Sequence, residues 1–224
     1  MSVTPSNNPW LQVSAASYDG HMGHPAVDQL AMLAAEFELA LDRVCPASCA
    51  VLGCATGNGL DRLASRDMDR AVAVDINSDF VEIARRRWAD SVPSLEFKTA
   101  DVADPSAISG RFDFVWAGLV FEYVHGARVL ANIRRWLAPS GVMTVVLQQL
   151  GNPDTHISRS PYQTELAPLE SVMKLVHPDQ FRTTARAAGF RENGALRERL
   201  CQGKRFLVGD FRAAGDVSPE AKNV

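Results

Sequence analysis

The stretch VLGCATGNG at residues 51–59, with AVAVD at residues 71–75 behind it, decides how this chain is read. An apolar run ends at Gly53, and the turn that follows is Gly53-Cys54-Ala55-Thr56-Gly57-Asn58-Gly59. Glycine-rich turns between a strand and a helix let the backbone approach a ligand and aim amide N–H groups at it. The spacing here is GxxxGxG, whereas a dinucleotide site has GxGxxG, whose close glycines seat a pyrophosphate. A glycine turn alone also serves simply to start a helix. Asp75 adds the second half of the signal, because it closes the next apolar run roughly 20 residues after Gly53. A carboxylate placed there can accept both hydroxyls of a ribose. Further on, Asp101 and Val102 stand in TADVADP. The carboxylate can accept from an exocyclic adenine amine while Val102 covers the ring, and a turn-forming Asp explains the same residues equally well. The loop and the two acids describe an adenosine pocket without a pyrophosphate cradle.

Outward from this core the pattern repeats. CAVLG (49–53), AVAVD (71–75), LEF (95–97), FDFVWA (112–117) and VMTVVL (142–147) are short apolar runs separated by helical periodicity. That alternation predicts an α/β fold around a parallel sheet. A helix is expected over 26–44, where Leu30, Leu33, Phe37, Leu41 and Val44 share one face. Others are expected to start near Gly59, Asn77 and Gly126. Asn77 suits an N-cap with Asp79 in the first turn, and Pro139-Ser140-Gly141 stops the third helix. Past Gly151, helical patterns at 163–176 and 178–188 end at Gly189. Candidate strands at 195–200 and 205–211 then form an antiparallel hairpin. The reading divides the chain into an N-terminal lid segment (1–25), a single domain (26–211) and a tail (212–224).

With 224 residues, 46% hydrophobic and 22% charged, the composition is that of a globular protein and excludes collagen-like or wholly disordered chains. Twenty-three Lys+Arg against 26 Asp+Glu leave a net charge of −3, which gives no general attraction to nucleic acid or to an acidic membrane surface. The basic runs at 85–87 and 134–135 read as solvated helix faces. Cys45, Cys49, Cys54 and Cys201 form no CxxC pair and read as reduced thiols. No metal is expected, since Asp19, His21 and His24 in one short stretch make a poor ligand set. The N-terminus lacks the basic and apolar regions of a secretory leader, and no apolar run approaches the ~20 residues of a membrane span. A cytoplasmic location is the expectation.

On these motifs the chain resembles the class I S-adenosylmethionine-dependent methyltransferases. VLGCATGNG is similar to their first motif, AVAVD to the second, ADVAD to the third, FDFVWAGLVFEYV to the fourth, and LAPSGVMTVVL to the segment through the fifth strand. The resemblance spans roughly residues 18–211. It implies a Rossmann-like, seven-stranded, mostly parallel sheet with helices on both faces and a C-terminal antiparallel hairpin. It implies S-adenosyl-L-methionine as cofactor, held by the loop residues Gly53, Cys54, Ala55, Gly57 and Asn58. Asp75, Ile76, Asp101 and Val102 would join them, as would Ala117 and Gly118 after the fourth strand. Tyr18 and His21 would close over the site from the N-terminal segment. Tyr123 and His125 are the candidate catalytic residues facing a small-molecule acceptor, with His125 as a general base by its pKa range; a surface histidine at a helix start explains His125 as well. The stretch 148–176, with His156, Arg159 and Tyr162, is the natural acceptor-specific insertion. Two residues depart from the family pattern. Val51 stands where an acid is common, and Ala55 replaces the central loop glycine, where a negative φ is expected of it. A cofactor-sensing protein that has lost catalysis is the alternative. A nicotinamide-dependent oxidoreductase is a third reading, disfavoured by the loop spacing and the terminal hairpin.

Overall fold

The computed structural model describes residues 8–149 and 157–214. Its apolar runs become strands because both of their faces are covered. In β1 (Ser48–Leu52), Cys49 and Val51 join one apolar layer and Ala50 and Leu52 the other, all of them buried. The same division holds in β2 (Arg70–Asp75) and β4 (Phe112–Gly118), so neither face has room for polar residues. With β3 (Leu95–Thr99) and β5 (Leu137–Gln148) these strands run parallel. The path continues through β6 (Phe190–Glu192) and β8 (Lys204–Ala213), giving the order β3-β2-β1-β4-β5-β8-β6. β8 is antiparallel to β5 and β6.

The short edge strand β6, which the sequence reading did not include, brings the sheet to eight strands. The expected hairpin is β7 (Arg197–Cys201) with β8, and β7 pairs with β8 alone. Its two-residue turn, Gln202-Gly203, has φ of 46° and 76°, the mirror-image turn that suits strand twist. Ion pairs fix the hairpin: Arg199 pairs with buried Glu36 in the body, while Asp210 of β8 lies 3.5 Å from Arg197 across the hairpin and takes Arg43 and the Thr144 hydroxyl from the body.

Helices α2 (Gln29–Val44) and α3 (Ser78–Trp88) cover one face of the sheet, and α4 (Gly126–Trp136) and α6 (Pro178–Ala187) the other. The element expected after Gly59 is reduced to a 3₁₀ turn, Leu60–Leu63. Only ten residues separate Gly59 from β2. They must return the height of a five-residue strand, roughly 16 Å, and a 3₁₀ turn covers about 2.0 Å per residue against 1.5 Å for an α-helix. The helix expected over 163–176 is likewise broken, into α5 (Gln163–Leu166) and a 3₁₀ turn, Ala167–Ser171, at Pro168.

The lid segment contains structure that its polar pattern hides. A 3₁₀ turn at Pro9–Gln12 precedes α1 (Ala15–Met22), which Ser14 caps by accepting from the Ser17 N–H. At the other end, β8 runs to Ala213, past the expected start of the tail. His156, residues 1–7 of the lid and residues 215–224 of the tail lie outside the described residues. Among the described residues no helix is long and apolar enough to cross a membrane.

Candidate active site

Leu52 ends β1 in register with Val74 of β2 and Ala117 of β4, so the chain reverses its strand order here. In open α/β sheets ligands bind at such a switch point, outside the carboxyl ends of the strands. The glycine loop, Asp75 and the Ala117-Gly118 pair all converge on it.

Asp75 organises this corner. One carboxylate oxygen accepts from the Ala55 N–H and the other from the Asn77 N–H, both at 2.9 Å. Burial raises its pKa, and the N–H groups of Asn77, Ala55 and Ile76 pull it back. A carboxylate has about four acceptor positions, more than these backbone groups fill. Asp101 is exposed, and one of its oxygens accepts from the Ala103 N–H at 2.8 Å, the turn-forming arrangement. Its second oxygen makes no bond within the described residues. Val102 beside it is buried, and Ile76 is half-buried.

The loop takes left-handed backbone at Gly53, Gly57 and Gly59, and also at Ala55, with φ of 45°. The negative φ expected of Ala55 is therefore corrected. Asp75 grips the Ala55 N–H, Cys54 N–H bonds to Val74 O at 3.1 Å, and together they force this conformation on a residue with a Cβ. Gly57 is required for packing, since a Cβ there would come within 2.7 Å of the Trp88 ring. Asn58 turns toward α2 and donates to Leu30 O at 3.0 Å, lining an open groove of about 450 Å³ on the outer side of the loop. Cys54 is buried under the loop.

The N-terminal segment is fastened over the strand ends. Asn77 donates to the carbonyls of Trp10 (2.8 Å) and Val13 (3.3 Å) while its side-chain oxygen caps α3. Asp19 accepts from the Thr56 hydroxyl and pairs with Arg87 at 2.7 Å. Tyr18 packs its ring on Phe80 (5.2 Å) and Trp10 (6.1 Å), and Trp10 meets Tyr123 edge to face at 4.9 Å. Burial drives the phenol pKa of both tyrosines up. His21 is buried, with Nδ1 2.8 Å from the Ser160 hydroxyl, and Gly20 backs directly onto the Tyr162 ring. Residues 157–173 and α1 thus clasp one another across the site.

Between them lies a partly open cavity of about 40 Å³, lined by Trp10, Tyr18, His21, Tyr123, Gln148, Lys204 and the apolar side chains of the insertion. The two residues expected to face the acceptor part company here. Tyr123 lines the cavity, whereas His125 is exposed ahead of α4 and does not. Two groups beside the cavity, Lys204 and Glu122, lacked a role in the sequence. Lys204 is half-buried, and burial lowers its pKa to about 8. His21 is held down to about 4 by burial and by the charge of Lys204. Glu122, buried next to Tyr123, accepts the Gln148 N–H at 2.7 Å with one oxygen. Its other oxygen is buried with no hydrogen-bond partner among the described residues, and burial pushes its pKa up to about 7. An acid beside a tyrosine after the fourth strand is the one sequence signal for it. Among the described residues no three His, Cys, Asp or Glu side chains converge to hold a metal.

Comparison with known proteins places this geometry. Residues 50–141 match the methyltransferase-domain family. Trans-aconitate 2-methyltransferase of Methylobacterium nodulans is 28% identical over 147 residues, 64% of this chain and 55% of that protein. Ribosomal protein L11 methyltransferase of Dictyoglomus turgidum is 28% identical over 97 residues, 42% of this chain and 31% of that protein. The chain therefore spans about half the length of the first relative and a third of the second. The N-methyltransferase NodS from Bradyrhizobium japonicum, solved with S-adenosyl-L-homocysteine, shares the fold, with a TM-score of 0.62 and 15% identity over 85% of this chain and 89% of that one. The match makes residues 50–141 similar to an S-adenosylmethionine-dependent methyltransferase domain, and the described residues share the fold of NodS.

Two measurements test the physical description of the corner. Ala55→Gly removes about 1–2 kcal/mol of left-handed strain and gives back about 0.4–1 kcal/mol through a freer unfolded chain. A net gain of roughly 0.5–1 kcal/mol is expected in denaturant unfolding. The second concerns Glu122. Below pH 4.5 it is protonated in both states, and as pH rises to about 7 the unfolded chain loses the proton while the folded one keeps it. Its contribution to stability therefore falls across that window, by on the order of 3 kcal/mol. Glu122→Gln should be more stable than the parent at pH 8 and lose that advantage at pH 4. Taking the difference between variant and parent removes His21, whose depressed pKa acts in the opposite direction.

Proposed function

We propose that the chain transfers the methyl group of S-adenosylmethionine to a small-molecule acceptor. The observation that carries this reading is the Asp75 carboxylate, anchored by two backbone N–H groups at the switch point with acceptor positions to spare. The donor and acceptor chemistry fits the nucleoside. Asp75 would hold the ribose hydroxyls, the free oxygen of Asp101 the adenine amine, and Ile76 and Val102 the ring faces. When bound, the cofactor supplies a methyl group on a sulfonium, transferable by in-line displacement. The protein's task is then alignment and exclusion of water. Tyr18, Trp10 and Tyr123 offer aromatic faces to a cationic centre, an attraction of about 0.5–2 kcal/mol. A small, mostly apolar cavity supports a small acceptor. The relatives point in two directions, one being named for a small acid and the other for a protein.

Asn77 holds the carbonyls of Trp10 and Val13 over the strand ends. On this reading residues 9–22 act as a lid that lifts from Asn77 to admit the nucleoside.

Two results test the reading. Asp75→Ala should weaken S-adenosyl-L-homocysteine binding by about 1.5–3 kcal/mol in calorimetry, the range for hydrogen bonds to a charged group; unchanged affinity removes Asp75 from the site. A chain beginning at Ser14, free of the two carbonyls that Asn77 holds, should both bind and release that ligand faster in stopped-flow experiments. Identical rates would show that the segment does not gate access.

A further inference from the structure

The walls of the cavity beside Tyr123 differ in chemistry. One side is apolar, formed by Ile157, Leu166, Leu169 and Met173. The other carries hydrogen-bond donors: the Lys204 ammonium and the Tyr123 hydroxyl, which has no hydrogen-bond partner among the described residues. Among the described lining residues there is no Asp or Glu.

Lys204 is there because of the strand that lies off the main sheet path. The tight turn pairs Cys201 with Lys204, and β8 then aligns Phe206 with Gln148, which sets the lysine at the carboxyl end of β5. The hairpin is anchored by the Arg199–Glu36 ion pair and by the buried Cys201 thiol, which donates to the carbonyls of Val27 and Asp28 at 3.3 and 3.4 Å. A cation is thus held at a mostly apolar wall by an anchored element. Its charge is felt across the cavity, since it helps keep His21 neutral. An ammonium has three donors, so it can hold a contact within the chain and a ligand oxygen together.

We propose that this cavity receives a carboxylate of the acceptor, with Lys204 and Tyr123 as the groups that select it. The proposal rests on the methyl-transfer reading above and names its acceptor class. In the reaction a carboxylate oxygen attacks the methyl carbon of the sulfonium. The new C–O bond forms as the C–S bond breaks, and the bonding pair stays on sulfur. The products are a methyl ester and a neutral thioether, and no proton moves. That suits a cavity whose one histidine is bonded to Ser160 and whose nearest buried acid, Glu122, does not line it. A protonated amine would be repelled by Lys204, and an alcohol would need a base. The volume, about 40 Å³, admits a single small group, so the body of the acceptor must lie under residues 157–173.

The test uses the full chain, methyl-labelled S-adenosylmethionine, and a panel of short di- and tricarboxylates and aromatic carboxylates beside the matching amides, alcohols and amines. Label is expected from carboxylates alone, released as methanol by mild alkali as an ester requires. Lys204→Gln should lower kcat/KM for the accepted carboxylate by about 10- to 100-fold, with S-adenosyl-L-homocysteine affinity unchanged and Lys204→Arg intermediate. Calorimetric binding to the Gln variant also shows that it is folded. Alkali-stable label from alcohols or amines overturns the proposal, as does full activity of the Gln variant, or a protein that binds S-adenosyl-L-homocysteine yet methylates no carboxylate. Failure to bind S-adenosyl-L-homocysteine at all overturns instead the methyl-transfer reading beneath it.

Discussion

Asp75 gives one carboxylate oxygen to the Ala55 N–H and the other to the Asn77 N–H, and most of what is particular to this site follows from that bridge. It ties the glycine loop to the start of α3 across the ends of two neighbouring strands. The loop is pulled inward until Ala55 takes a backbone that a side chain disfavours. Asn77, fixed by the same carboxylate, caps α3 with its side-chain oxygen and holds the N-terminal segment with its side-chain nitrogen. A single half-buried acid thus sets the loop, orients a helix and, through Asn77, holds the N-terminal segment. Burial alone would favour its neutral form, and the converging N–H groups are what support the charge.

The lid and the insertion form a clasp whose two halves have different chemistry. On the outer side Asp19 joins the Thr56 hydroxyl and Arg87, a polar latch on the loop. On the inner side Trp10, Tyr18, Phe80 and Tyr123 make an aromatic contact with the apolar side chains of the insertion. Exposed ion pairs contribute little, roughly 0–1 kcal/mol, so the aromatic side supplies most of the closure. The Trp10–Tyr18–Tyr123 contacts are also those a bound nucleoside sulfonium would replace with its own. On the proposed reading, opening and binding would be two arrangements of the same surface.

The C-terminal hairpin shows how a sheet common to many proteins acquires a local chemistry. β8 completes the sheet against β5, while β7 adds nothing to its main path. The anchors of β7 are ionic, to Glu36 and Asp210, both buried in elements already fixed by the core. Breaking such pairs leaves a buried charge uncompensated, which holds the turn in place and Lys204 with it. On the proposed carboxylate reading, specificity would come from an appendage whose position the core guarantees.

The sequence by itself determined the alternating α/β order, the parallel core, the terminal hairpin and the corner built from Gly53, Asp75 and Asp101. Each depends on a local pattern: continuous apolar strands, turn residues, and an acid at a strand end. It misjudged the segment after Gly59 and the insertion helix, where the available length and Pro168 decided between α and 3₁₀ turns. It assigned Ala55 an ordinary φ, because the pull of Asp75 comes from another strand. Only the tertiary structure separated Tyr123 from His125, turned Asn58 away toward α2, gave Gly57 a packing role under Trp88, and buried Glu122 and Lys204 beside the cavity. The physical reason is common to all of these. Local conformation follows from neighbours in the chain, whereas desolvation, strain and the direction a side chain faces are set by residues tens to well over a hundred positions away, and those meet only when the sheet has closed.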